Sequence, residues 1–235
     1  MDPEHRQDVL SQLDETPLPE RELYRLSSGQ AAALYIRRLI FEGRLRSGER
    51  VPQDEIARAL SVSRIPIREA LVALQQQGWV TIEKNRGAFV AVLDERAVRD
   101  HYDLFGLVYG FATQTALARS DAGLGEKLLQ ISDDFSTART AREANRLAIA
   151  FHAAIVEAAA SPRINVVLRA MSALVPGDFF KLVPKAKEMQ RPAFNAIARA
   201  VKRGDGQRAA DEYAKMMRRV AGEVVLMFRE RGLFV

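Results

Sequence analysis

Ser63-Arg64-Ile65-Pro66-Ile67-Arg68-Glu69-Ala70-Leu71 is the stretch that decides the fold. Ser63 is a good N-cap, and Pro66 falls in the first turn, where a missing backbone N–H costs little. Ile67, Ala70, Leu71 and Leu74 recur at helical spacing and form one inward stripe, and Gly78 ends a helix running from about Arg64 to Gln77. Arg64 and Arg68 lie four residues apart on the opposite face. Upstream, Gln53 to Leu60 places Ile56, Ala57 and Leu60 on one face, and Ser61-Val62-Ser63 breaks it, so two short helices meet across a tight turn. Further upstream, Ser27 or Ser28 caps a helix with apolar Ala32, Tyr35, Ile36, Leu39 and Ile40, ending near Gly43. Downstream, residues 79–83 and 88–92 are extended runs flanking Lys84-Asn85-Arg86-Gly87, a hairpin. Three helices and a hairpin within residues 27–92 predict a winged helix-turn-helix.

Such a unit points to nucleic acid. The second helix of the pair enters the major groove with its N-terminal residues against base edges. Arg64 and Arg68 can each fork onto guanine O6 and N7, a contact worth roughly 1–3 kcal/mol of discrimination. Ser63 can offer its hydroxyl or N–H to a phosphate at the helix start, and Lys84, Arg86 and Gly87 form a basic hairpin tip for backbone or minor groove. Any one exposed arginine is ordinary; cap, arginine pair, inward stripe, glycine stop and basic wing in this order are not. The charge agrees: residues 27–92 carry ten basic against six acidic side chains, whereas residues 1–26 carry three against seven and are expected to form a polar arm.

Together with Gly78-Trp79-Val80, Arg86-Gly87-Ala88-Phe89-Val90 and Gly43-Arg44-Leu45-Arg46-Ser47-Gly48-Glu49-Arg50-Val51, the opening stretch resembles the GntR family of bacterial regulators. The resemblance implies base contacts from Arg64 and Arg68, with Arg46 and Arg86 supporting the backbone or groove. Ser47 stands where proline is usual in the family, Ser61 where glycine is usual, and Ile65 where threonine is usual.

From Asp94 onward the strand signals vanish, and residues 93–235 are expected to form an all-α bundle. Helices are predicted at 94–119 and at about 122–139, 142–160, 162–182, 187–204 and 206–231. Phe151-His152-Ala153-Ala154-Ile155 and the segment Ile197 to Asp205 are similar to the FCD type of effector domain. Many members of that subfamily hold a metal with one Asp and three His. Carried over position by position, only His152 survives, with Ala148, Phe194 and Met216 at the other three places. One imidazole cannot make a transition-metal site, so no metal or other cofactor is expected. An arginine usual on the first helix of that domain is Phe105 here, with Tyr109 one turn on. Phe105, Tyr109, Ala148, His152, Phe194 and Met216 would then line a mostly apolar effector pocket, His152 and Tyr109 supplying its polar contacts.

Zero cysteines exclude disulfides and thiolate chemistry. There is no apolar run of about 18 residues, no secretory leader and no phosphate loop or nucleophile elbow. Asp133-Asp134 sits on a polar helix face. The expectation is therefore a non-enzymatic cytoplasmic regulator, a repressor acting as a homodimer on a palindromic DNA operator, responsive to a small molecule more apolar, or differently anchored, than a metal-chelated hydroxy acid. The rival is a winged helix used for protein contacts alone.

Overall fold

Ser27 opens the first helix with a complete capping box: its hydroxyl accepts from the Gln30 N–H, and the Gln30 side chain accepts from the Ser27 N–H. In the computed structural model, residues 27–234 are described except 93, 120–122, 172–173, 175–178 and 184. The expected polar arm, residues 1–26, lies outside the described residues. The chain divides into two compact units, one comprising residues up to Asp94 together with 228–235, the other Glu95–Met227.

In the first unit α1 (Ser28–Phe41), α2 (Gln53–Ala59) and α3 (Arg64–Gln76) precede β1 (Val80–Glu83) and β2 (Gly87–Val90). The strands pair antiparallel, Val80 opposite Val90 and Glu83 opposite Gly87. α3 buries Ile67, Ala70, Leu71 and Leu74, the stripe read from sequence, and packs mainly on α1. The turn before α2 joins the hairpin, which the sequence did not reveal. The Val51 N–H donates to the Ala88 carbonyl at 2.8 Å, and the Val90 N–H donates to the Glu49 carbonyl at 2.8 Å. Residues 228–235, assigned from sequence to the helical half, cluster with this unit: Phe228 meets Phe41 edge-on at 5.8 Å, and the Arg231 guanidinium lies 4.6 Å from the Phe41 ring centre.

The second unit is helical: α4 (Glu95–Arg119), α5 (Leu124–Thr137), α6 (Ala141–Ala159), α7 (Pro162–Met171), α8 (Phe179–Leu182), α9 (Lys185–Lys202) and α10 (Gly206–Glu230), whose last turn from Phe228 counts with the first unit. α6 packs on α4 and α5, and α9 on α5. Gly106 and Gly110 let α4 approach α10 closely: a Cβ on Gly110 would stand 2.9 Å from that of Ala210. The single helix expected over 162–182 is two, α7 and α8, with Leu174 between them not helical.

Ser61, where the family favours glycine, has φ +52°. A left-handed non-glycine residue costs about 1–2 kcal/mol, so Ser61→Gly is expected to leave stability equal or up to about 1 kcal/mol higher after the entropy of the unfolded glycine is subtracted. Ser61→Val should cost about 2 kcal/mol, because branching at Cβ aggravates the clash. Urea midpoints of the two variants check this; a valine variant as stable as the serine protein would refute it.

Candidate functional site: a DNA-reading helix and a ring-walled cavity

The buried stripe of α3 leaves its first turns facing out. Ser63 is the N-cap residue, yet its side chain makes no capping bond, which leaves the hydroxyl available to another acceptor or donor. Arg64 and Arg68 are both exposed. Arg64 is held by Asp54 of α2 through two contacts, Nε to Oδ1 at 2.6 Å and Nη2 to Oδ2 at 2.8 Å. That side-on grip uses one edge of the guanidinium and leaves the Nη1/Nη2 end free to fork onto a planar acceptor pair. Arg68 makes no ion pair with another described residue. Ile65 (67% exposed) and Val72 (49%) flank it on the same face.

At the wing, Lys84 and Arg86 are exposed, and Arg86 pairs with Glu83 while its guanidinium lies 5.5 Å from the Phe89 ring centre. Gly87 has φ +110°, so its conformation favours glycine, and a Cβ there would press on the Arg50 guanidinium at 3.1 Å from Nε. Arg46 is exposed in the turn that joins the hairpin, its own N–H donating to Glu49 Oε2 at 2.9 Å. All seven sequence-predicted DNA residues thus occur in the first unit around α3, the wing and the turn. Asp54 and Arg50 were missed, because a partner ten residues upstream and a cation folded onto the wing tip leave no periodic signal.

The second unit contains a half-open cavity of about 1070 Å³ walled by α4, α6, α7, α8, α9 and α10. Phe105, Tyr109, Ala148 and His152 line it, as expected from sequence; Phe194 and Met216 do not, being buried behind the wall. His152 Nδ1 lies 3.3 Å from Tyr213 Oη, the Tyr109 ring stands 4.6 Å from the imidazole, and Phe194 meets it edge-on at 5.4 Å. Phe194 stacks on Phe151 at 4.1 Å, and Tyr109 stacks on Tyr213 at 5.2 Å. Burial among these rings pushes the His152 pKa down to about 4 and both tyrosine hydroxyls up, the Tyr213 hydroxyl further raised by Tyr109. The metal of the related domains finds no fitting donor set. Around His152 stand rings, Ala148 and Tyr213, and no three His, Cys, Asp or Glu side chains cluster among the described residues.

Sequence reasoning also missed Gln190. It lines the cavity from α9, is 94% buried, and its Oε1 has no hydrogen-bond partner among the described residues. An orphan buried acceptor costs about 1–3 kcal/mol. A glutamine on an amphipathic helix reads as solvent-facing, so nothing in the sequence marked it.

His152 makes stability depend on pH with a definite sign. Above its unfolded pKa of 6.5 the ring is neutral in both states and the full contribution is present. As pH falls from 6.5 toward 4, the unfolded chain takes up a proton that the folded ring refuses, and stability drops. Urea midpoints between pH 7 and 4 should fall more steeply for the wild type than for His152→Leu, by up to one proton per molecule. Parallel slopes would contradict a neutral buried imidazole.

Comparison with known proteins agrees with this architecture. The family described as bacterial regulatory proteins, gntR family, matches residues 29–90, and the FCD domain matches residues 100–219. An uncharacterized HTH-type transcriptional regulator of Mycobacterium tuberculosis is 28% identical over 186 residues, spanning 79% of this chain and 76% of that protein. The gluconate operon transcriptional repressor of Bacillus licheniformis is 36% identical over 95 residues, 40% of this chain and 39% of its own. Among solved structures, a GntR family transcriptional regulator from Pseudomonas syringae pv. tomato superposes with a TM-score of 0.52 at 20% identity, covering 99% of both chains. With both halves matched over most of its length, the chain belongs to the gntR family of bacterial regulatory proteins and is a DNA-binding transcriptional regulator with a winged helix and an FCD domain.

Proposed function

We propose that this regulator is a repressor that grips a palindromic operator as a homodimer and releases it when a small molecule enters the cavity around His152. The observation that carries the DNA half is the pair of outward arginines at the start of α3, whose phase is set by the buried stripe behind them. Arg64 and Arg68 read guanines, Asp54 steadies the Arg64 fork, and Ser63 meets a phosphate. Ile65 offers a thymine methyl an apolar contact where the family's threonine would offer a hydroxyl. Lys84, Arg86 and the Gly87 tip follow the adjacent groove, and Arg46 the backbone. Repression is supported by the Bacillus licheniformis relative, a gluconate operon transcriptional repressor.

A single winged helix reads too few base pairs for an operator, so two copies are needed. α4 supplies a face for self-association: Leu104, Leu107 and Phe111 are 55%, 63% and 60% exposed and recur at helical spacing on one side. An exposed apolar stripe of this kind in a helical domain is a docking face for a like surface. The cavity supplies the sensor, and its effector acts only through unequal affinity for the DNA-competent and DNA-incompetent states.

In a gel shift against DNA upstream of its own gene, Arg64→Ala and Arg68→Ala should each weaken specific binding about 5- to 150-fold while non-specific binding changes little. Asp54→Ala should lose part of the Arg64 discrimination without loss of fold stability, since an exposed ion pair contributes only about 0–1 kcal/mol. Operator binding that ignores all three changes would refute this reading of α3. Independently, Leu107→Glu with Phe111→Glu should turn a dimer into a folded monomer in sedimentation. A dimer that survives both charges places the interface elsewhere.

A further inference from the structure

We infer that the ligand of this cavity is an uncharged, largely apolar molecule that donates a hydrogen bond, through a hydroxyl or amide N–H, to Gln190 Oε1. The inference rests on the cavity being the effector site and names the chemistry that site selects. Gln190 is 94% buried and lines the cavity, yet its carbonyl oxygen has no partner among the described residues. Native interiors rarely leave such an acceptor unmatched, and a binding site is one of the few reasons to do so. The oxygen is itself closed off from the open space, and because the amide sits on a torsion with broad preferences, it can turn toward an entering donor without displacing the helix.

The rest of the deep wall agrees. Phe105, Tyr109 and Phe180 present ring surface to the space, and the imidazole of His152 is engaged by Tyr213 and kept neutral by burial. An anion placed there would meet ring surface and no fixed positive charge among the described residues of the deep wall. The cation nearest the cavity, Arg169, is exposed at the rim, where its Nε bonds the Asn165 side chain. A carboxylate ligand would have to be anchored by that rim arginine and leave Gln190 unsatisfied. A donor ligand satisfies the glutamine and meets rings elsewhere.

The test uses the full-length dimer and four probes that share a phenylbutyl body: 4-phenylbutan-1-ol, 4-phenylbutyramide, the methyl ether of the alcohol, and 4-phenylbutyrate. Binding is read by isothermal titration and by the rise in melting temperature, for the wild type, Gln190→Glu and Gln190→Met. The alcohol and amide are expected to bind at least about tenfold more tightly than the ether and the carboxylate. Gln190→Glu, which keeps an acceptor, should retain the alcohol, and Gln190→Met should bind alcohol and ether alike. Without any probe, Gln190→Met should melt no lower than wild type, because it removes an unmatched polar atom; a purely structural glutamine would melt lower on replacement. Tightest binding by the carboxylate, lost in Arg169→Ala, would overturn the donor assignment and leave the cavity as the effector site. Equal binding of all four probes to wild type and Gln190→Met would do the same. Binding of none of them, with no displacement from operator DNA at millimolar concentration, would overturn the effector reading and this inference with it.

Discussion

The burial of Ile67, Ala70, Leu71 and Leu74 against α1 is the constraint on which the DNA-reading half depends. A helix turns by about 100° per residue, so a slip of one position would swing Arg64 and Arg68 from the outside to the flank. Each fully buried aliphatic side chain contributes about 1.5–3 kcal/mol, and the stripe therefore fixes the rotational phase of α3 by several kcal/mol. The exposed Asp54–Arg64 pair is worth about 0–1 kcal/mol and cannot set that phase. Packing decides where the arginines point, and the carboxylate only trims the fork of one of them.

This division of labour explains what was legible in the sequence. Everything that fixes α3 is local: a cap at Ser63, a proline in the first turn, an apolar stripe and a glycine stop lie within sixteen residues. The pairing of Glu49 and Val51 with β2 joins positions about forty residues apart through a segment too short and polar to carry strand periodicity, so it was invisible. The helical half was read as a set of elements, because alanine- and leucine-rich periodicity survives without knowledge of partners, but its interior was read less well. Phe105, Tyr109, Ala148 and His152 reach the cavity, whereas Phe194 and Met216 stand behind it, and periodicity cannot distinguish a side chain in a wall from one behind it. Gln190 escaped for the opposite reason. Its residue type predicts solvent, and only the packed structure shows the amide buried.

The chemistry around His152 follows from the side chains packed on it. Where a cation would need several basic donors, this chain places Ala148 and a cluster of rings. Rings at 4–6 Å contribute apolar area and edge-to-face contacts, and they strip water from the imidazole, so it stays neutral through the physiological range. The deep wall around His152 then offers hydrogen-bonding dipoles, and charge is confined to Glu157 and Arg169 elsewhere in the lining. Dipoles discriminate by direction, since a donor and an acceptor at the same place differ by the full cost of an unmatched group.

A ligand of that kind must still move the equilibrium between DNA-competent and DNA-incompetent states. Shifting a population from 1:99 to 99:1 needs about 5.5 kcal/mol of differential affinity. Satisfying one orphan acceptor contributes about 1–3 kcal/mol, which is too little alone even if the bond exists in only one state. The remaining ~3.5 kcal/mol corresponds to about 140 Å² of apolar surface buried in one state and not the other, at about 25 cal/mol per Å². A cavity of about 1070 Å³ has room for a body of that size. On these magnitudes the hydrogen bond selects which molecule enters, and the ring walls, through the area they close over, decide whether its entry switches the protein.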